Sequence, residues 1–107
     1  MKPNEFKKFE ARDPYCPHCG IGVPYLVPHH RKNRGMGGSK LRDNPANILL
    51  VCALLNGAME QQSQVAEDAR RFGWKLESWQ DPAIVPVYDA MTGFTYRLKD
   101  DYSKEPI

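Results

Sequence analysis

Cys16-Pro17-His18-Cys19 sets two thiols in a tight repeat, and Cys52 adds a third after a long excursion. This is the spacing of a metal knuckle rather than a disulfide framework, because three cysteines cannot all pair within one chain. A closed zinc tetrahedron calls for a fourth ligand three residues beyond Cys52, where Leu55 stands. Leucine cannot coordinate. Three readings follow: His18 or another group completes the set, the site binds weakly, or the cysteines are buried hydrophobes with Leu55 packed in the fourth place.

A second constellation is His29-His30 with Asn56 and Glu60 further along. Adjacent strand residues point to opposite faces, so the two imidazoles divide their work: one holds a metal and the other faces a water. Phosphodiester hydrolysis uses that division. A base activates water opposite the leaving oxygen, while a divalent cation neutralises the phosphate and the departing oxyanion. Glu60 lies four residues beyond Asn56 and so shares its helix face, within reach of the same ion. Each has a plainer reading: a solvated histidine pair, a helix-capping asparagine, and a glutamate favoured in a first turn by the backbone dipole.

The net charge of +2 hides an asymmetry. Residues 1–45 carry nine Lys/Arg against four Asp/Glu, while residues 46–107 carry six against nine. Arg31, Lys32, Arg34, Lys40 and Arg42 crowd beside the histidine pair, an electrostatic footprint for phosphate or else a solvated basic loop. A chain of 107 residues supports one small core, which at this size often leans on a metal or a partner. The longest apolar run, Ile48 to Leu55, is too short to cross a bilayer, and MKPNEFKKFEARD has no apolar centre for a secretory signal. These features and the cysteine usage point to a reducing, cytoplasmic setting with no membrane partner.

Several elements must position these residues. Residues 1–15 read as a basic N-terminal arm with one helical turn near Glu5 to Ala11. CPHCG reads as a knuckle closed by glycine. Val23 to Val27 reads as a short extended strand kept to an edge by its prolines, running into His29 and His30. Residues 31–44, with three glycines and no periodicity, read as a loop. NPANILLVC opens as a turn with Asn44 as cap and Pro45 in the first helical position, then returns Cys52 to the core. Met59, Val65, Ala66, Ala69 and Phe72 fit one amphipathic helix from Asn56, stopped at Gly73, with Glu67 and Arg71 paired across a turn. Trp74 and Trp79 are expected to cover the helix's open side. Gly73 to Glu77 suggests a short strand, and residues 84–100 suggest two strands about a turn at Asp89 to Gly93. The last residues read as a loose tail.

The ordered set Cys16-x-x-Cys19, His29-His30, Asn47, Cys52 and Leu55-Asn56 resembles the HNH, or ββα-metal, nuclease motif over residues 16 to 60. HHRKNRGMGGSKLRDNPANILLVC is similar to small HNH proteins of actinobacteria and their phages. The resemblance implies an α+β fold: a ββα-metal finger over residues 16–72 made of a short β-hairpin, a long loop and a helix. A β-hairpin over 73–101 completes the same domain, and 102–107 is tail. It implies a DNA endonuclease with His30 as general base and Asn47 orienting it. Mg²⁺ or Mn²⁺ would sit at His29, Asn56 and Glu60, and structural Zn²⁺ on the incomplete set Cys16, Cys19 and Cys52. Asn56 stands where most members have a metal-binding histidine, and Leu55 replaces the fourth zinc cysteine. Those departures support an alternative, a catalytically silent nucleic-acid-binding or regulatory protein, or a protein-interaction module. Phosphate contacts fall to Arg31, Lys32, Arg34, Lys40 and Arg42, with room for a homodimer or a phage or host protein as partner.

Overall fold

Pro3 at the start of a helix and Glu5 in its first turn are good helix-opening chemistry, and they begin α1, Pro3–Arg12. The computed structural model describes residues 1–33 and 43–107. The N-terminal segment is a helix rather than a ragged arm. Phe9 is fully buried and meets the Tyr102 ring at 5.2 Å, so α1 is part of the core. Burial of a phenylalanine is worth about 2 kcal/mol, enough to fasten a ten-residue helix whose other face is lysine-rich.

β1 (Leu26–His30) pairs antiparallel with β2 (Ile48–Cys52), in a register that sets Leu26 opposite Cys52 and His30 opposite Ile48. Pro28 sits in β1, which has β2 as its single partner in this sheet. Every residue of β2 is buried, so the Ile48–Cys52 run is the central ridge of the core. Before it, Pro45–Asn47 makes one turn of 3₁₀ helix, with Pro45 at its start and no side-chain cap from Asn44.

Two buried arginines read the carbonyls of this turn. Arg12 grips Asp13 with two nitrogens (2.9 and 2.6 Å) and reaches the carbonyl oxygens of Pro45 (2.8 Å) and Ile48. Asp13 also accepts from the Leu50 N–H at 3.2 Å, so this ion pair is locked into β2. Arg31 is fully buried and donates to the carbonyls of Gly73, Ala46, Pro82 and Val85 at 2.7–2.9 Å. It joins β1, the 3₁₀ turn and the 73–85 segment. Burial, then the nearby charge of Arg12, lowers its pKa to about 10, with Asp13 acting the other way.

The single helix expected from Asn56 to Phe72 is two: α2, Ala53–Gln61, and α3, Ser63–Arg71, broken at Gln62 in extended backbone. Between Met59 and Val65 the sequence is Glu-Gln-Gln-Ser-Gln, more than a turn with no apolar side chain to hold it to the core. Leu55 and Met59 anchor the first helix, and Ala66 and Ala69 the second. Arg71 pairs with Asp68 at 2.6 Å rather than with Glu67. Gly73 takes φ +79°, and a Cβ there would stand 1.9 Å from the Pro86 oxygen, so glycine is required. Residues 73–77 form turns, not a strand. β3 (Val87–Tyr88) and β4 (Thr95–Leu98) flank the expected turn, but the tail adds β5 (Lys104–Pro106), giving a three-stranded sheet of order β3-β4-β5. Trp74 is buried and donates its indole N–H to the Tyr88 carbonyl, whereas Trp79 is exposed. No described helix is long and apolar enough to cross a membrane.

Arg31→Met should destabilise the protein by at least about 3 kcal/mol, because buried carbonyls lose their donors. Urea denaturation measures this. A change within about 0.5 kcal/mol would place the Arg31 guanidinium on the surface instead.

Candidate metal centre

The knuckle is built by backbone. Cys16 N–H donates to the Ile21 carbonyl and Gly20 N–H to the Cys16 carbonyl, each at 2.9 Å, and Tyr15 bridges Gly22. Gly20 takes φ +77° at the closing position. The β3–β4 turn holds the knuckle from outside, with the Ala90 N–H on the Pro17 carbonyl at 2.8 Å. Cys52 arrives from the end of β2 and is the N-cap of α2, its Sγ accepting from the Leu55 N–H at 3.3 Å. These segments bring the sulfurs of Cys16, Cys19 and Cys52 within 4.8 Å of one another. All three are free thiols; Cys16 and Cys52 are buried and Cys19 is exposed.

The electrostatics of the cluster are divided. Burial pushes the Cys16 thiol up to about 11, although N–H groups of Cys52, Cys19 and His18 pull the other way. At Cys19 burial also acts upward, but the Ile21 N–H and the thiols of Cys52 and Cys16 outweigh it and lower the pKa. N–H groups aimed at sulfur favour the thiolate, the form that ligates metal. Three soft donors at this separation suit a thiophilic cation such as Zn²⁺. Leu55 belongs to the same buried cluster as Cys16 and Cys52, so the fourth place three residues beyond Cys52 is filled by packing.

The histidines go elsewhere. His29 is buried, and its Nε2 lies 2.7 Å from the Trp74 carbonyl. A carbonyl can only accept, so Nε2 carries the proton. The Asn56 side chain also acts on the ring, favouring its protonated form. Lys75 bears on this place too: its ammonium stands 4.0 Å from Glu60, and its charge opposes a positive charge on His29. Glu60 is therefore engaged by a cation the chain itself supplies. His30 pairs its Nε2 with Asp43 Oδ1 at 2.9 Å. Among the described residues, the one group of three or more Cys, His, Asp or Glu with ligand atoms gathered is the thiol cluster, and neither imidazole joins it. For the expected catalytic Mg²⁺ or Mn²⁺, no second gathered group of three such donors is present among the described residues.

The remaining expected residues fall as follows. Asn47 is fully buried and bridges the Lys32 backbone, accepting its N–H at 2.8 Å and donating to its carbonyl at 3.2 Å. These two bonds pin the chain just beyond the end of β1. Arg31, expected on phosphate, is spent on backbone carbonyls. Lys32 is half-buried, and Arg34, Lys40 and Arg42 lie outside the described residues. Asp13, Asp43 and Lys75 were not foreseen. Asp13 pairs with its neighbour Arg12, whereas the partners of Asp43 and Lys75 are brought to them by tertiary packing.

No protein-family model, no curated protein and no solved structure matches the chain. The motif resemblance to HNH nucleases is overturned by the donor geometry. What the fold gathers is a cluster of three cysteines, two of them buried, not a His-Asn-His catalytic centre, so the general-base endonuclease expectation falls with it.

Burial lowers the His29 pKa from 6.5 to about 4; the Trp74 carbonyl opposes this, Lys75 reinforces it, and Glu60 and Asn56 oppose it. Between those values the unfolded chain binds more protons than the folded one, so stability rises with pH. The contribution is complete above pH 6.5 and is lost as pH falls toward 4, about 3 kcal/mol in all. Urea midpoints should drop across that window and drop less in His29→Gln. Equal pH profiles for the two proteins would refute the buried neutral imidazole.

Proposed function

We propose that the protein is a non-catalytic binding module held together by a thiolate-bound metal, and that its target is nucleic acid. The convergence of Cys16, Cys19 and Cys52 carries the first part, since the donors the fold gathers are those of a structural ion. The metal ties the knuckle to the β2–α2 junction and so joins segments distant in sequence. Soft thiolates neither position a phosphate nor supply a base for water.

The choice of target rests on where the positive charge remains. Lys2 at the N-cap of α1 and Lys7 and Lys8 within it are exposed. The start of α1 shares with β1 a cleft of about 530 Å³ lined by Met1, Lys2, Glu5, Pro28, His30 and Asp43. Lys32 lies two residues beyond β1, and Arg34, Lys40 and Arg42 come later in sequence. Glu5 and Asp43 bring negative charge into the cleft itself, so a phosphate backbone would rest on Lys2 and on the exposed lysines of α1. A second reading, a protein partner, is favoured by exposed Tyr15, Ile21, Val23, Tyr25 and Leu54, which flank the knuckle and the start of α2.

Fluorescence anisotropy with a labelled DNA duplex across a salt series tests the reading. Binding should weaken steeply with salt, and the double variant Lys7→Glu, Lys8→Glu should flatten the log–log slope by about 2. No strand cleavage should accompany binding in Mg²⁺ or Mn²⁺. Absence of binding at low salt would transfer the assignment to a protein partner, and cleavage would contradict the non-catalytic reading.

A further inference from the structure

A thiophilic cation prefers to complete its coordination, and among the described residues no fourth Cys, His, Asp or Glu donor is gathered with the three sulfurs. The chain holds three cysteines and three histidines. The cysteines are all in the cluster. His29 is buried on the Trp74 carbonyl, and His30 is paired with Asp43. His18, though inside the knuckle, is exposed and sets its ring edge-on to Trp74 at 5.8 Å between centroids; its nitrogens do not join the gathered sulfurs. Residues 34–42 contain no Cys, His, Asp or Glu. The position best spaced to close the set is Leu55, whose backbone N–H is already committed to the Cys52 sulfur. The cluster is nevertheless not sealed, because Cys19 is exposed while its two companions are buried.

We propose that the centre holds its cation on three thiolates and keeps one exchangeable position, open on the Cys19 side, that a small exogenous thiol fills. This rests on the metal-stapled reading above and adds a ligand class to it. A soft cation already bound by sulfur favours a further soft donor over water. The incoming thiol binds as thiolate, its proton passes to solvent, and the displaced donor is water. No bond within the protein breaks and no electron moves. A closed four-cysteine centre has no such position, whereas the fold gathers three sulfurs here and places a leucine at 55.

Cobalt substitution of the full chain reads the donor set directly. Loaded with one equivalent of Co²⁺ in the absence of added thiol, the protein should show sulfur-to-cobalt charge transfer. Titrated 2-mercaptoethanol should then raise that absorption by about a third, saturably, and shift the ligand-field bands. Leu55→Cys should give the four-sulfur spectrum from the outset and ignore the thiol. X-ray absorption of the zinc-loaded wild-type protein gives the same answer without a variant: three sulfurs and one lighter donor, becoming four sulfurs at about 2.3 Å when thiol is added. A wild-type spectrum indifferent to thiol, with cobalt bound, overturns the exchangeable position and leaves the metal staple standing. Failure to take up cobalt at all overturns both.

Discussion

Three sulfur atoms within 4.8 Å of one another join parts of the chain that otherwise share little. The knuckle is short and made of turns, and a segment of that kind cannot bury enough apolar surface to hold its own position. Cys52 stands where the fully buried strand β2 becomes helix α2, so an ion bound there is fastened to the most rigid part of the molecule. The Leu55 N–H on the Cys52 sulfur makes the helix cap one of the three gathered soft donors. With an ion bound, helix start, strand end and knuckle would be fixed by a single coordination sphere, and the free energy of metal binding would become free energy of folding.

Around that centre the polar groups of the core serve architecture. Arg12 and Arg31 together hold the carbonyls of Pro45, Ala46 and Ile48, and Asn47 ties the same turn to the Lys32 backbone. A 3₁₀ turn leaves carbonyls without helical partners, and guanidinium groups are well shaped to satisfy several at once. This also explains why the basic N-terminal half overstates the charge available to a ligand. Two of its arginines are buried in the protein.

Short-range signals were legible in the sequence. Cysteine spacing announced the knuckle, Pro45 the turn before β2, Gly73 the end of the helical region, and Asp89 to Gly93 the turn between β3 and β4. Contacts set by packing were not. Phe9 looked like one aromatic in a charged arm, and only the ring of Tyr102 and the core reveal its burial. β5 is entirely exposed and lacks apolar alternation, so it is recognisable only through its pairing with β4. The helix break at Gln62 was visible as an apolar gap, but the spacing on either side masked it. The histidine pair misled most. Its spacing suited catalysis, whereas the Trp74 carbonyl and Asp43 that occupy the two rings come from residues far along the chain.

Native mass spectrometry combined with cysteine alkylation tests the metal-centred architecture most directly. The account predicts one zinc ion per chain after reconstitution, with Cys16, Cys19 and Cys52 all protected from alkylation until a chelator removes the ion. A chain that stays folded and metal-free in excess zinc, with exposed Cys19 alkylated at the rate of a free thiol, would contradict it.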